Sequence, residues 1–262
     1  MRPAAPSRST AWSGPSGSCA RTSRPTPIPA GWGEAARNLT PFEPVVDGVT
    51  LPRPPIDAIT DGAARDVDLL VGSNSDEFRL FLVPNGVIDL VGEPQLERAA
   101  AGYGLDPRTA IRTYRAQRPD ATPGELLAAI VTGWFYRIPA VRLAEAQVPH
   151  RQVPHRPGGA FLYEFAWQPP TFAGGLGACH AAELPFVFDN LDDKVFMPLI
   201  GSPPPQEVAD AMHGAWVSFA TTAAPGWPAY TTGTRTTMRF DTASVTEDDP
   251  RPGERSVWDG RR

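Results

Sequence analysis

Three side chains in this sequence have the types and spacing to move a proton between them. Asp76 and Glu77 sit in a Gly-Ser-Asn loop directly after a short apolar run, within "DVDLLVGSNSDEF" (Asp66–Phe78). His180 lies about a hundred residues on, in "GLGACHAAELPFVFDN", residues 175–190. A carboxylate accepting from one imidazole nitrogen fixes the tautomer and stabilises the imidazolium, which leaves the other nitrogen to take a proton from a nucleophile. Rival readings are weaker. "HAAE" (His180–Glu183) opens a zinc pattern, but Leu184 stands where H-x-x-E-H needs its second histidine. Cys179 beside His180 suggests a thiol nucleophile, yet neighbours in an extended loop point to opposite sides. A structural histidine capping its loop is the plain alternative.

The elements around these residues must bring them together. The apolar run before Asp76 reads as a buried strand feeding a loop, and "AFLYEFAW" (Ala160–Trp167) as a second strand leading to His180. In a parallel sheet the C-terminal ends of strands share one edge, where sites assemble. Between the strands, "EPQLERAAAGYGL", "PRTAIRTYRAQR" and "PGELLAAIVTGWFYRIPAVRLAEAQ" have helical composition, with Pro139 restarting the last helix after a bend. "QEVADAMHGAWVSFATT" puts Val208, Met212, Ala215 and Phe219 on one helical face. His213 lies off that stripe, with Asp210 three residues before it, as a solvated pair. "TTMRF" (Thr236–Phe240) reads as the last strand. The order strand, helices, strand, helix, strand implies an α/β fold with a largely parallel sheet.

Composition narrows the function. The chain has 262 residues, a net charge of −5 and 41% hydrophobic residues. The acidic balance argues against nucleic acid as a partner. No stretch approaches the ~18 consecutive apolar residues of a membrane helix, so the expectation is a soluble, cytoplasmic protein without a membrane partner. Lys194 is the only lysine. Cys19 and Cys179 have no framework spacing and read as unpaired. Val-Pro-His-Arg occurs at 148–151 and again at 153–156, a surface-loop duplication rather than a metal site built on His150 and His155. Residues 1–38 are rich in Pro, Ser, Arg and Thr, and read as a disordered or non-native tail ahead of a domain spanning 39–262.

Several ordered segments together resemble the type B carboxylesterases, a family that includes the cholinesterases and para-nitrobenzyl esterases. They are "PFEPVVDGVTLPRPP", "LLVGSNSDEFRLFL", "FYRIPAVRLAEA", "FLYEFAWQPPTFAGGLGACHAAELPFVF" and "AWVSFATTAAPGWPAY". The resemblance runs from about residue 40 to the C-terminus. It implies the C-terminal half of an α/β-hydrolase fold, carboxylic ester hydrolysis with small-molecule esters as substrates, and no cofactor or metal. By the same resemblance Glu77, rather than Asp76, falls where the family keeps its triad acid, and His180 where it keeps its base. Glu183 matches a buried supporting acid, and Gly133 stands where relatives with "TDWFFRIP" carry aspartate.

The family's nucleophile elbow, G-x-S-x-G on a strand-to-helix turn, does not occur in the sequence. The nearest string is "GPSGS" (Gly14–Ser18), with Ser18 in place of the last glycine. The expectation is therefore a base and its orienting acid without their serine, inactive alone, with an uncovered sheet surface that favours self-association. A non-catalytic remnant or interaction module of the same fold is the alternative.

Overall fold

The two apolar runs ahead of the candidate residues become adjacent strands. The computed structural model describes residues 44–150 and 159–261. The N-terminal tail, "GPSGS", Cys19 and His155 lie outside them. Four strands, β1 (Leu69–Asn74), β2 (Ala160–Phe165), β3 (Thr236–Phe240) and β4 (Val245–Asp248), lie side by side in that order. β1 pairs parallel with β2 and β2 parallel with β3, while β4 returns antiparallel. "TTMRF" is thus not the last strand. "VTED" escapes a reading by pattern because every residue of β4 is exposed, so no apolar alternation marks it.

Helix α1 (Pro55–Thr60) precedes β1. Between β1 and β2 run α2 (Arg79–Leu82), α3 (Glu93–Gly102), α4 (Pro107–Gln117), α5 (Pro123–Thr132) and α6 (Ile138–Gln147). Then come α7 (Leu184–Val187), α8 (Met197–Ile200) and α9 (Gln206–Thr222), with α10 (Pro252–Ser256) after β4. Local chemistry sets the starts. Asp106 caps α4 by accepting from Thr109 N at 2.9 Å, and Thr122 with Glu125 forms a capping box ahead of Pro123. The expected bend before Pro139 is instead a π-helical turn, Gly133–Arg137, joining α5 to α6 without a break. Ile138 N donates to Gly133 O. A proline cannot donate in the ladder, and widening the turn re-pairs the backbone around it. The continuous helical run Pro123–His150 is 28 residues, long and apolar enough by length and composition to cross a membrane, but Leu126, Ile130, Trp134 and Ile138 pack into the core.

The sheet is packed on both faces at β2, whereas β1 is only partly covered and β4 lies exposed. From β2, Phe161 and Phe165 meet Val208, Met212 and Ala215 of α9, while Ala160 and Leu162 meet Ala140, Val141 and Ala144 of α6. Phe219 packs beside the first group, as the helical stripe requires. His213 does not pair with Asp210 in solvent: its Nδ1 lies 2.9 Å from Val187 O, because α9 packs against α7. At Gly133 an added Cβ would lie 2.7 Å from the Tyr114 hydroxyl, which accepts from Trp258 Nε1 at 2.9 Å. A side chain there has no room, and the glycine admits that buried pair.

Gly72 lets β1 approach β2. A methyl group there would lie 2.2 Å from Tyr163 O and 2.5 Å from its ring. Gly72→Ala is therefore expected to cost about 3 kcal/mol, the upper end for overpacking, seen as a lower urea midpoint at unchanged slope. An unaltered midpoint would show that the strands can part at no cost.

Candidate functional site

The register ends Asn74 opposite Phe165, so the loops leaving β1 and β2 emerge on the same edge. There the structure brings Glu77 and His180 together: His180 Nδ1 lies 2.7 Å from Glu77 Oε2. The other oxygen, Oε1, accepts from Asn74 N at 2.8 Å, and His180 N donates to Glu77 O at 3.2 Å. The carboxylate is thereby held at both oxygens, buried, while the imidazole side chain is 43% exposed. Among the described residues no hydrogen bond reaches His180 Nε2. With Nδ1–H donating to the carboxylate, Nε2 carries the lone pair and faces outward chemistry.

Asp76 takes a different part. Its Oδ1 meets Arg79 Nε at 3.3 Å, and its Oδ2 accepts from Gln168 Nε2 at 3.0 Å and Ala178 N at 3.2 Å. It ties the acid loop to the histidine loop. Gly177 permits this contact: its φ is +59°, and a Cβ would lie 2.6 Å from Asp76 Oδ2. Ala181, next to the histidine, holds φ of 66°, a left-handed backbone that costs a non-glycine residue about 1 kcal/mol. Cys179 is fully buried, and burial pushes its thiol up to about 12, which leaves no thiolate to act as nucleophile near neutral pH.

Sequence reasoning missed three residues that surround the pair. Asn74 closes β1 and donates its Nδ2 to Cys179 O at 2.7 Å and to Glu183 Oε2. It is the clasp between the two loops. Tyr136, on the π-helical turn, sets its ring 5.1 Å from the imidazole, and Phe81 approaches at 5.8 Å. The signal available for Asn74 was its place at a strand end in a Gly-Ser-Asn loop. Nothing in the periodicity marked Tyr136. Glu183 lies beneath the histidine loop on Asn74, with its carboxyl raised above the usual range by burial, against the pull of the Asn74 bond.

His180 is raised above its ordinary value, chiefly by the hydrogen bond to Glu77 and against burial. A raised folded-state pKa means that this stabilisation is complete below the unfolded histidine value, about 6.5, and fades as pH rises through the folded value. Glu183 acts with the same sign at lower pH, since its protonated form is the one favoured by folding. Titrating the His180 ring by NMR should give a midpoint above that of free histidine, and Glu77→Gln should bring it down. Equal midpoints in the two proteins would show that the carboxylate does not hold the imidazolium.

A mostly parallel sheet flanked by helices, with an acid after one strand and a histidine after the next, fits part of an α/β-hydrolase fold. Solved structures agree: a Geobacillus stearothermophilus carboxylesterase superposes with a TM-score of 0.70 at 35% identity, covering 86% of this chain and 48% of that one. The chain belongs to the carboxylesterase family, whose sequence model matches residues 21–258. That match begins ahead of the resembling segments, which start at about residue 40. The para-nitrobenzyl esterase of Bacillus subtilis (strain 168) is 34% identical over 224 residues, 82% of this chain and 42% of that protein. Phenmedipham hydrolase of Pseudarthrobacter oxydans is 29% identical over 205 residues, 72% of this chain and 38% of the hydrolase. The chain thus spans less than half the length of these relatives.

Proposed function

We propose that this chain carries the acid–base part of a carboxylic ester hydrolase, with His180 as the proton-transfer group and Glu77 as the residue that orients it. The observation that carries this reading is the Glu77–His180 bond at 2.7 Å, with the carboxylate pinned from behind by Asn74 N. Glu183 supports the arrangement through Asn74. The sequence contains no G-x-S-x-G, so the serine and the oxyanion donors come from a complementary segment of a longer assembly. The substrates are small carboxylic esters, in keeping with relatives named for para-nitrobenzyl and phenmedipham chemistry.

In the reaction, Nε2 of His180 takes the proton of the serine hydroxyl as its oxygen attacks the ester carbonyl. Glu77 accepts from Nδ1–H throughout and stabilises the imidazolium. The imidazolium returns the proton to the departing alcohol as the carbon–oxygen bond breaks, leaving an acyl-serine. Water then attacks the acyl carbon while Nε2 takes one of its protons, and the acid leaves as the serine recovers its hydrogen. No cofactor enters these steps. Refolding the chain with the N-terminal portion of the Bacillus subtilis para-nitrobenzyl esterase, and assaying p-nitrophenyl butyrate, tests the reading. Turnover is expected from the complex and not from the chain alone. A well-formed complex without turnover, or turnover by the chain alone that survives His180→Ala, would overturn it.

A further inference from the structure

The hydrogen bond to Glu77 fixes one corner of the His180 ring and leaves its plane undetermined. Among the described residues that bond, at 2.7 Å, is the one the imidazole makes, and the side chain is 43% exposed. The outer torsion of histidine is broad and roughly two-fold, so a half-turn takes Nδ1 off the carboxylate and puts carbon in its place. Two aromatic rings lie against the imidazole. Tyr136 has its centroid 5.1 Å away with the planes at 43°, and Phe81 lies at 5.8 Å and 35°. Both separations are those of aromatic pairs in contact.

These two rings belong to a closed circuit. From His180 it passes to Tyr136, then to Phe135 at 6.2 Å and to Phe78 at 6.0 Å, the last two stacked within 8° of parallel. From Phe78 it reaches Phe81 at 5.1 Å and returns to His180. The circuit joins both members of the pair, because Phe78 directly follows Glu77. Phe78 N donates to Thr132 Oγ1 at 3.1 Å, one residue ahead of the π-helical turn that carries Phe135 and Tyr136. Single π-helical turns within α-helices are frequent at functional sites. Core filling does not account for the outer links: Phe81 is 37% exposed and Tyr136 half-buried, whereas Phe78 behind them is buried. Burial, and then the Glu77 charge, raises the Tyr136 hydroxyl above its ordinary range, so it stays neutral and adds no charge beside the imidazole.

We propose that Phe81 and Tyr136 are positioning residues for the base: the aromatic circuit clamps the plane of His180, so that Nδ1 stays on Glu77 and Nε2 keeps the lone pair. Both act through the imidazole. Released from the clamp, the neutral ring samples the flipped orientation, and its proton is no longer confined to Nδ1. The catalytic consequence rests on the hydrolytic reading given above, whereas the clamp itself is a property of the chain alone.

A neutral imidazole reports its tautomer through the shifts of its two ring nitrogens. The test is nitrogen NMR of the full chain with isotope-labelled histidine, well above the His180 midpoint, with His180→Ala assigning the signals. Wild type and Tyr136→Phe are expected to show one tautomer, protonated at Nδ1. In the double variant Phe81→Leu/Tyr136→Leu the two shifts should converge towards the average of the tautomers, while the backbone amide spectrum stays that of the folded chain. If the double variant fails to fold, Phe81→Leu alone, at a part-exposed ring, should show a partial convergence. In the complex with the complementary portion of a relative, Tyr136→Leu should lower kcat for p-nitrophenyl butyrate roughly 10- to 10²-fold with KM little changed, the scale of a small misplacement of a reacting group. Should the unaltered complex show no turnover, the hydrolytic reading falls and the tautomer comparison still decides the clamp. A single Nδ1–H tautomer in the folded double variant, or unmoved shifts in Phe81→Leu where only that variant folds, would overturn the proposal, because the Glu77 bond would then hold the ring by itself.

Discussion

Changing His180 to alanine, in the chain assembled with the complementary portion of a relative, is expected to lower kcat for p-nitrophenyl butyrate on the order of 10⁶-fold, the scale seen when a serine hydrolase loses its base. On the proposed mechanism the loss falls on kcat, because Nε2 would meet the serine only as the proton moves. KM should change little, since binding is left to other groups. The imidazole is a partly exposed side chain whose loop is held by backbone contacts, Asp76 and Asn74, so the variant should fold. A fall of less than tenfold would remove His180 from the reaction.

Glu77→Gln gives the second large effect, about 10⁴-fold in kcat, the scale of the corresponding change in a serine protease. The structure specifies why an amide of the same shape fails. Asn74 N–H points at one oxygen of Glu77 from 2.8 Å, so glutamine must place its carbonyl there. Its NH₂ then faces His180 Nδ1, which has to accept, and the ring proton moves to Nε2. The base is left in the wrong tautomer. Removing Asn74's clasp should be milder, because the Glu77–His180 bond itself survives. Activity of the wild-type complex should rise with pH through the raised His180 value, since only neutral imidazole takes the proton. A Glu77→Gln variant with near wild-type kcat would mean that the tautomer is set elsewhere.

Much of the scaffold could be read from residues alone because its signals are local. Apolar runs ending in Gly-Ser-Asn and Gly-Leu-Gly loops mark β1 and β2, and Pro and Thr mark the start of α5. The choice of Glu77 over Asp76 could not come from such signals: both are acids in one loop, and only family resemblance separated them. In the structure Asp76 is occupied by Arg79, Gln168 and Ala178 N while Glu77 meets His180, an arrangement that supports the proposed choice. Asn74 was illegible as a clasp because its partners lie 105 and 109 positions away. His213 misled for the same reason, its partner being a carbonyl on α7 rather than the acid one turn back. β4 carries no apolar pattern at all, and its pairing is visible only once β3 is in place.

Cys179 gives the histidine loop a clock. Its thiol is sealed in the core one residue before His180, and burial holds it almost entirely in the unreactive protonated form. An alkylating reagent can reach it only when the loop lifts from the sheet edge. With Cys19 replaced by serine, the labelling rate at low reagent reactivity reports how often that opening occurs, free of any ester or assay. The residue beside the proposed base thus records how long the base stays in place.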